Sequence, residues 1–342
     1  MQISDIEKTR EQNFRLLHLY SLYLNEWADF ITPEMVKEIS DIGGFGKDEA
    51  FLILLAEACG VHPTDGGEDS EFFRNYLAPS VKLLDAGKYR ADPYYSNIHF
   101  PNVRNENWEL RTDRLKACQP FIWDDVQVDE TLRELPPMGY FSEDFSYPVV
   151  LEDGREWMLV TPNEVETIRP AIRAAHGRAV TFGLGLGYFP YMASLKPEVE
   201  QIIVVERDPK VIELFQQFIL PQFCQHEKIR LVCMDAFAYL DEIMPREHFD
   251  YLYADIWHDA GDGVPLYLRF NKYEERFPET VFDYWIERTM LSYLRWYDFE
   301  HMPSNVRDPY RWLNNINTKN RAKSLRPDDY SSWLRREVNG EG

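Results

Sequence analysis

The chain has 342 residues, of which 44% are hydrophobic and 15% aromatic, and this composition excludes an intrinsically disordered protein. Its 58 acidic and 37 basic residues give a net charge of −21, which disfavours nucleic acid or an anionic membrane as the main partner. One local exception is a basic run from Lys319 to Arg326, which we interpret as a solvated face rather than a phosphate-binding patch.

The four cysteines lie far apart in the sequence and form no C-x-x-C pair, so neither a disulfide framework nor a zinc knuckle is predicted. We interpret them as buried thiols in a reducing compartment. The first residues are polar and charged, and no stretch approaches the roughly 18 uninterrupted apolar residues that a membrane span requires. These features predict a cytoplasmic protein with a small-molecule substrate and make no prediction about its oligomeric state.

Three units are expected along the chain. Helix-like spacing of apolar residues predicts a helical N-terminal domain over residues 1–140. Two apolar runs around Asp153-Gly154 predict a β-hairpin near residues 147–160, and Thr161 and Glu164 then form the signature that starts a helix. We assign the hairpin and an α/β unit to residues 141–270, and a helical C-terminal region to residues 271–342.

From Arg178 onwards the strand and helix patterns alternate, as they do in a doubly wound, Rossmann-like parallel sheet. The predicted strands are "AVTFG", "QIIVVE", "KIRLVCM" and "FDYLYADI". Right-handed crossovers then give the strand order 3-2-1-4, with the first strand ending at Gly183. The next apolar stretch, "VFDYWIERTMLSYLRWYDFEHM", is predicted to be helical, so we expect a sheet truncated after its fourth strand.

A glycine-rich turn follows the first predicted strand, with Gly183, Gly185 and Gly187 at alternate positions. In such sheets a ligand lies beyond the carboxyl ends of the strands, so a turn without side chains allows close approach. Acidic residues end or follow the next three strands, namely Glu206, Asp235 and Asp255. Together these positions predict one site for a nucleoside-shaped ligand.

Over about residues 178 to 262 the sequence resembles the class I S-adenosylmethionine-dependent methyltransferases. The resemblance implies S-adenosylmethionine as cofactor, with its methionine part on the G-x-G-x-G turn, its ribose on Glu206 and its adenine amino group on Asp235. The "E-x-D-P" pattern that starts at Glu206 and the Asp235-Ala236 pair are also similar to the spermidine synthases, whose donor is decarboxylated S-adenosylmethionine.

The predicted reaction centre is the loop "ADIWHDAGDGVP" after the fourth strand. Its Asp-x-Trp-x-Asp order is similar to the loop of catechol O-methyltransferases, in which the Asp binds Mg²⁺ and a lysine is the base. His258 occupies the position of that lysine, and its titration range suits a general base. We therefore predict that Asp255 orients the acceptor and His258 takes its proton. The later Asp-Asn pair of that magnesium site has no counterpart, so no metal is predicted.

Three functions remain open, and a small-molecule methyltransferase is the first. The second is a spermidine synthase-like aminopropyltransferase, although "TPNEVETI" lacks the amine-binding acids of that family. The third is a degenerate methyltransferase scaffold that acts as an interaction protein, which the aromatic clusters of the N-terminal region would suit. A nicotinamide dinucleotide is a competing ligand, but the turn lacks the G-x-x-G ending that such a ligand requires.

Overall fold

The computed structural model describes residues 3–64, 66–104, 107–315 and 327–339, and the basic run from Lys319 to Arg326 lies outside them. The chain begins with helices. They are α1 (Ile3–Glu26), α2 (Pro33–Gly43), α3 (Lys47–Ala58), α4 (Gly67–Phe72), which continues through a π-helical turn (Phe73–Leu77) into α5 (Ala78–Ser80), and then α6 (Ala86–Arg90) and α7 (Pro93–Asn97).

Short strands fill most of the chain between Val103 and Leu159. The strands up to this point are β1 (Val81–Leu84), β2 (Val103–Arg104), β3 (Trp108–Leu115), β4 (Phe121–Ile122), β5 (Gln127–Val128), β6 (Glu134–Leu135), β7 (Met138–Phe141), β8 (Phe145–Glu152) and β9 (Arg155–Leu159). They form sheets in the orders β1-β7-β4, β2-β3-β8-β9 and β5-β6. The expectation of helix up to residue 140 is therefore wrong at β1 and beyond Asn97, because apart from β3 the strands up to β7 have only two to four residues and carry little periodic signal.

The predicted hairpin is confirmed. Strands β8 and β9 pair antiparallel, and the turn between them has positive φ angles at Asp153 (50°) and Gly154 (78°). Helix α8 (Pro162–Ala174) follows, and its N-terminus has the predicted capping box between Thr161 and Glu164. This capping box fixes the side chain of Glu164 at the start of α8.

The central sheet is parallel and has five strands. They are β10 (Gly177–Phe182), β11 (Val199–Glu206), β12 (Ile229–Cys233), β13 (Tyr251–Ala254) and β14 (Val281–Tyr284), in the order β12-β11-β10-β13-β14. The predicted order of the first four is confirmed, and β14 corrects the expected truncation. It was missed because this strand of four residues leads into a helix with only Trp285 and Ile286 between them, and neither Gly nor Pro marks the break.

Helices cover both faces of this sheet. They are α9 (Tyr188–Ser194), α10 (Pro209–Leu214) with a π-helical turn (Phe215–Ile219), α11 (Ala236–Glu242), α12 (Ala260–Glu274), α13 (Glu287–Glu300), α14 (Pro309–Asn315) and α15 (Pro327–Asn339), with 3-10 turns at Leu220–Gln222, His226–Lys228 and Met244–Arg246. Two clusters of buried hydrophobic side chains form the core around this sheet. Successive residues of β13 contribute to different clusters, since Tyr253 belongs to the first and Leu252 to the second. The first cluster also contains Leu84 and Tyr94, so one core spans the predicted boundary at residue 140.

All four cysteines are free thiols. Cys118 is buried, but Cys224 and Cys233 are exposed, so the expectation of buried thiols is wrong for these two. Among the residues that the structure describes, no helix has both the length and the apolarity needed to cross a membrane.

Candidate functional site

A cavity of about 620 Å³ lies at the carboxyl ends of the central strands. The turns that follow β10, β11, β12 and β13 line it, together with part of β9 and the start of α8. The sheet order reverses between β10 and β13, and this crevice is where open α/β sheets bind ligands. Of the residues predicted for the site, all but Gly187 line the cavity, namely Gly183, Gly185, Glu206, Asp235, Ala236, Asp255 and His258.

The three glycines of the turn have positive φ angles of 93°, 51° and 81° at Gly183, Gly185 and Gly187. A Cβ on Gly183 would lie 1.9 Å from the carbonyl oxygen of Asp255, and one on Gly187 would lie 2.3 Å from the ring of Phe215. A Cβ on Gly185 would meet no atom within 4 Å. Packing of the protein therefore requires the first and third glycines, and only Gly185 leaves open space for a ligand.

The glycine turn is supported from behind by α7. Tyr94 donates a hydrogen bond from its hydroxyl to the carbonyl oxygen of Leu186 at 2.5 Å. The hydroxyl of Tyr188 donates to Asp92, the residue that caps α7, at 3.1 Å. Two hydrogen bonds thus attach the turn to a helix that precedes the central sheet by about 80 residues.

Glu206 ends β11 and joins two turns. Its Oε2 accepts a hydrogen bond from the backbone N–H of Leu184 at 3.2 Å, and its Oε1 accepts one from the N–H of Asp208 at 2.9 Å. A carboxylate has about four acceptor positions, so two remain on Glu206 for hydroxyl groups in the cavity.

Asp235 is the N-cap of α11. Its Oδ1 accepts hydrogen bonds from the backbone N–H groups of Phe237 at 2.9 Å and Ala238 at 3.0 Å. The guanidinium carbon of Arg269 lies 3.5 Å from the centre of the Phe237 ring, also at the cavity wall. One oxygen of Asp235 is therefore used for capping, which leaves Oδ2 for a ligand.

Asp255 directly follows β13 and lines the cavity. Burial and then the negative charge of Glu164 raise the pKa of its carboxyl group to about 8. No side chain or backbone group of the described residues donates a hydrogen bond to this carboxylate. A carboxyl group with a pKa near neutrality can serve as a general base.

Glu164 brings a second carboxylate to the same part of the cavity. Its Oε2 accepts hydrogen bonds from the backbone N–H of Thr161 at 2.7 Å and from the hydroxyl of Thr161. Burial raises the pKa of this carboxyl group above its usual value, against the effect of those two bonds. The sequence predicted only the capping role of Glu164, because its approach to Asp255 depends on how α8 packs over the sheet.

His258 lines the cavity but is exposed. Its backbone N–H donates to the carboxylate of Asp262 at 3.1 Å, and Asp262 belongs to the capping box of α12 with Asp259. The two aspartates that follow Trp257 in this loop are therefore helix caps. His258 lies at the rim, whereas Asp255 lies deeper.

The charges around the cavity are unevenly distributed. Six carboxylates line it, from Glu156, Glu164, Glu206, Asp208, Asp235 and Asp255, against the two guanidinium groups of Arg207 and Arg269. Arg207 follows Glu206 in sequence and Arg269 stacks on Phe237, so both lie on the side of the predicted nucleoside contacts. The charge that acts on Asp255 is that of a second acid, Glu164, so this acid-rich end of the cavity suits an organic cation. In the described parts of the chain, no three His, Cys, Asp or Glu side chains are placed to hold a metal ion together.

The strand order 3-2-1-4-5 and the cavity at the switch point define a Rossmann-like fold with its ligand crevice in the usual place. The family model "Spermine/spermidine synthase domain" matches residues 194–282. This stretch contains Glu206, Asp235 and Asp255 and begins after the glycine turn. The chain is thus similar to the spermine/spermidine synthase domain over about a quarter of its length.

A comparison with solved structures gives a "putative O-methyltransferase" from Klebsiella pneumoniae, with 13% sequence identity and a TM-score of 0.28. The alignment covers 44% of this chain and 64% of the other, which is less than two thirds of the other chain's length. No curated protein matches the sequence significantly.

Proposed function

We propose that this protein is a transferase that moves an alkyl group from a sulfonium donor of the S-adenosylmethionine type to a small amine. One observation carries the proposal: the carboxylates of Asp255 and Glu164 share the acid-rich end of a cavity at the switch point of the sheet. Two acids whose pKa values are raised by burial can bind an ammonium group and accept its proton.

The donor's nucleoside would occupy the other end of the cavity. We assign the ribose hydroxyls to the remaining acceptor positions of Glu206 and the adenine amino group to Oδ2 of Asp235. Gly185 is the position in the turn where a ligand can approach the backbone most closely, since a Cβ there would meet open space. These assignments are supported by the free acceptor positions and by the part of the family match that contains both acids.

The acceptor amine is protonated at neutral pH and must lose a proton before it can act as a nucleophile. In the proposed reaction Asp255 takes that proton. The nitrogen lone pair then forms a bond to the carbon on sulfur, the C–S bond breaks, and sulfur leaves as a neutral thioether. We assign the proton to Asp255 rather than to His258, because Asp255 lies deeper and its pKa of about 8 suits the task.

The charge distribution favours a donor without a carboxylate. The family resemblance puts the donor's amino acid end at the glycine turn, and Gly183 in that turn contacts the backbone of Asp255. A carboxylate there would face Asp255 and Glu164 without a basic partner, whereas the ammonium group of a decarboxylated donor would be attracted. Aminopropyl transfer is therefore the favoured reaction, and methyl transfer is the second candidate because the sequence also resembles the class I methyltransferases.

Calorimetric titration with S-adenosylmethionine, its decarboxylated form and NAD tests the proposal. We expect the decarboxylated donor to bind most tightly. If neither sulfonium nucleoside binds, the interaction-scaffold hypothesis is favoured, and binding of NAD alone would favour a dehydrogenase. Turnover in the presence of an amine then separates the two transfers, because aminopropyl transfer releases 5′-methylthioadenosine and methyl transfer releases S-adenosylhomocysteine.

A further inference from the structure

The hydroxyl group of Tyr253 has no hydrogen-bond partner among the described residues, although the residue is only 1% exposed. Tyr251 and Tyr253 lie on β13, and the alternation along a strand directs these two side chains to the same face. The hydroxyl of the neighbouring Tyr251 has two acceptors for its proton, the carbonyl oxygen of Ala171 at 3.0 Å and the carboxylate of Asp283 at 2.8 Å. Of the two tyrosine hydroxyls on this face of β13, that of Tyr253 is therefore the unpaired one.

The position of Tyr253 explains where a partner could come from. Its ring lines the cavity and stacks on Phe189, with the ring centres 4.6 Å apart and the planes at 27°. Trp257 also lines the cavity and also has an unpaired N–H. Its pyrrole edge, however, packs on α12, since a Cβ on Gly263 would lie 2.9 Å from Trp257 Cδ1. Buried polar groups are almost always paired, so the hydroxyl of Tyr253 needs a partner from the cavity.

The surroundings of this hydroxyl group are acidic. Burial first, and then the charge of Asp255, raise the pKa of Tyr253 above its usual value, and Glu164 acts in the same direction. The phenol therefore stays neutral at any physiological pH. Its oxygen can accept a hydrogen bond from a cation that the two carboxylates attract.

We propose that the hydroxyl oxygen of Tyr253 binds the acceptor nitrogen, accepting one N–H hydrogen bond while Asp255 and Glu164 supply the countercharge. This inference rests on the proposed function and adds a residue and a selectivity to it. A primary ammonium group has three N–H donors, which match the three oxygens, whereas a tertiary ammonium group has only one. After Asp255 takes one proton, Tyr253 still holds an N–H and keeps the nitrogen lone pair in a fixed direction. The site therefore selects primary over tertiary amines.

The test compares Tyr253→Phe with Tyr251→Phe, which removes a satisfied hydroxyl from the same face of the same strand. The probes are n-butylamine and N,N-dimethylbutylamine, titrated calorimetrically, with 5′-methylthioadenosine as a probe of the nucleoside site. For Tyr253→Phe we expect n-butylamine affinity to fall about 2- to 12-fold and its advantage over the tertiary amine to disappear, because one hydrogen bond is lost. Its Tm without ligand should be unchanged or higher, since a buried unpaired hydroxyl is removed, and 5′-methylthioadenosine affinity should not change.

Tyr251→Phe should show the opposite result, a lower Tm with unchanged amine affinity. If the wild type binds n-butylamine and Tyr253→Phe binds it equally well, the inference about Tyr253 is overturned while the proposed function stands. A drop in the Tm of Tyr253→Phe without ligand, together with weaker binding of every probe, would show a structural role and would overturn it too. If the wild type binds neither n-butylamine nor 5′-methylthioadenosine, the proposed function fails and the inference fails with it.

Discussion

The backbone of Gly183 lies against the carbonyl oxygen of Asp255, so close that a Cβ on the glycine would be 1.9 Å from that oxygen. The two residues follow the adjacent parallel strands β10 and β13. Gly183 also has a φ of 93°, which side chains of L-residues rarely allow. Position 183 must therefore be glycine, because any side chain there would clash with the backbone of Asp255. The close contact also places Asp255 beside the glycine turn.

The glycines should consequently respond differently to the same substitution. Gly183→Ala should prevent folding or lower the Tm strongly, because backbone atoms would have to move. Gly185→Ala should cost only roughly 1 to 2 kcal/mol of stability, from its left-handed φ, but should weaken 5′-methylthioadenosine binding. Thermal unfolding and calorimetry of both variants check this. If both variants lost the same amount of stability, the assignment of Gly183 to packing and of Gly185 to ligand contact would be wrong.

Asp255→Asn should lower turnover by a factor of about 10² to 10⁴, because the amide cannot take the acceptor's proton. In the wild type, kcat/KM should fall as the pH is lowered through about 8, where Asp255 becomes protonated. The variant should lose this limb of the pH profile and still bind 5′-methylthioadenosine. A variant with wild-type turnover would exclude Asp255 as the base.

Asp255 should also make stability depend on pH. Its pKa is about 8 in the folded protein and about 3.9 in an unfolded chain, so between these values the folded state binds more protons. The free energy of unfolding should therefore decrease as the pH rises from about 4 to about 8. Asp255→Asn should remove this contribution and be more stable than the wild type at pH 9, by at least about 1 kcal/mol, but not at pH 4. Urea unfolding at several pH values measures the difference, and parallel curves for the two proteins would refute it.

Glu206→Ala should weaken binding of the nucleoside by roughly 1.5 to 3 kcal/mol, or about 10- to 150-fold, because the ribose hydroxyls lose a charged acceptor. The Tm should also fall, since the N–H groups of Leu184 and Asp208 lose their partner. Glu200→Ala, an exposed position on the same strand, is the matched control and should change neither quantity. Unchanged affinity in a folded Glu206→Ala variant would rule out the ribose role.

His258→Ala should retain turnover within about tenfold, because the side chain is exposed at the rim and Asp255 takes the proton in the proposed reaction. The pH profile is the decisive measurement. If the variant loses about 10²-fold in turnover together with one limb of the pH profile, the base is His258, as the sequence alone predicted.

The sequence predicted features that depend on neighbouring residues. The hairpin at Asp153-Gly154 and the capping box of Thr161 follow from local turn chemistry, and the order of four strands follows from periodicity and right-handed crossovers. All three are confirmed. Strand β14 was missed because no local break separates it from α13. Glu164 and Tyr253 were missed as cavity residues because each already has a structural explanation in the sequence. Glu164 belongs to a helix capping box, and Tyr253 is one apolar position of a buried strand. Their proximity to Asp255 depends on how distant parts of the chain pack together, and the spacing of residues along the sequence does not show this.

The hydrogen bonds from Tyr94 to Leu186 and from Tyr188 to Asp92 have a practical consequence for dividing the chain. A fragment that begins at residue 141 would contain every strand of the central sheet and yet lack both supports of the glycine turn. It would also expose the part of the core that Leu84 and Tyr94 cover. Expression of the α/β unit alone is therefore a poor route to a ligand-binding fragment. Substitutions in α7 should weaken nucleoside binding, because they remove the support of the glycine turn.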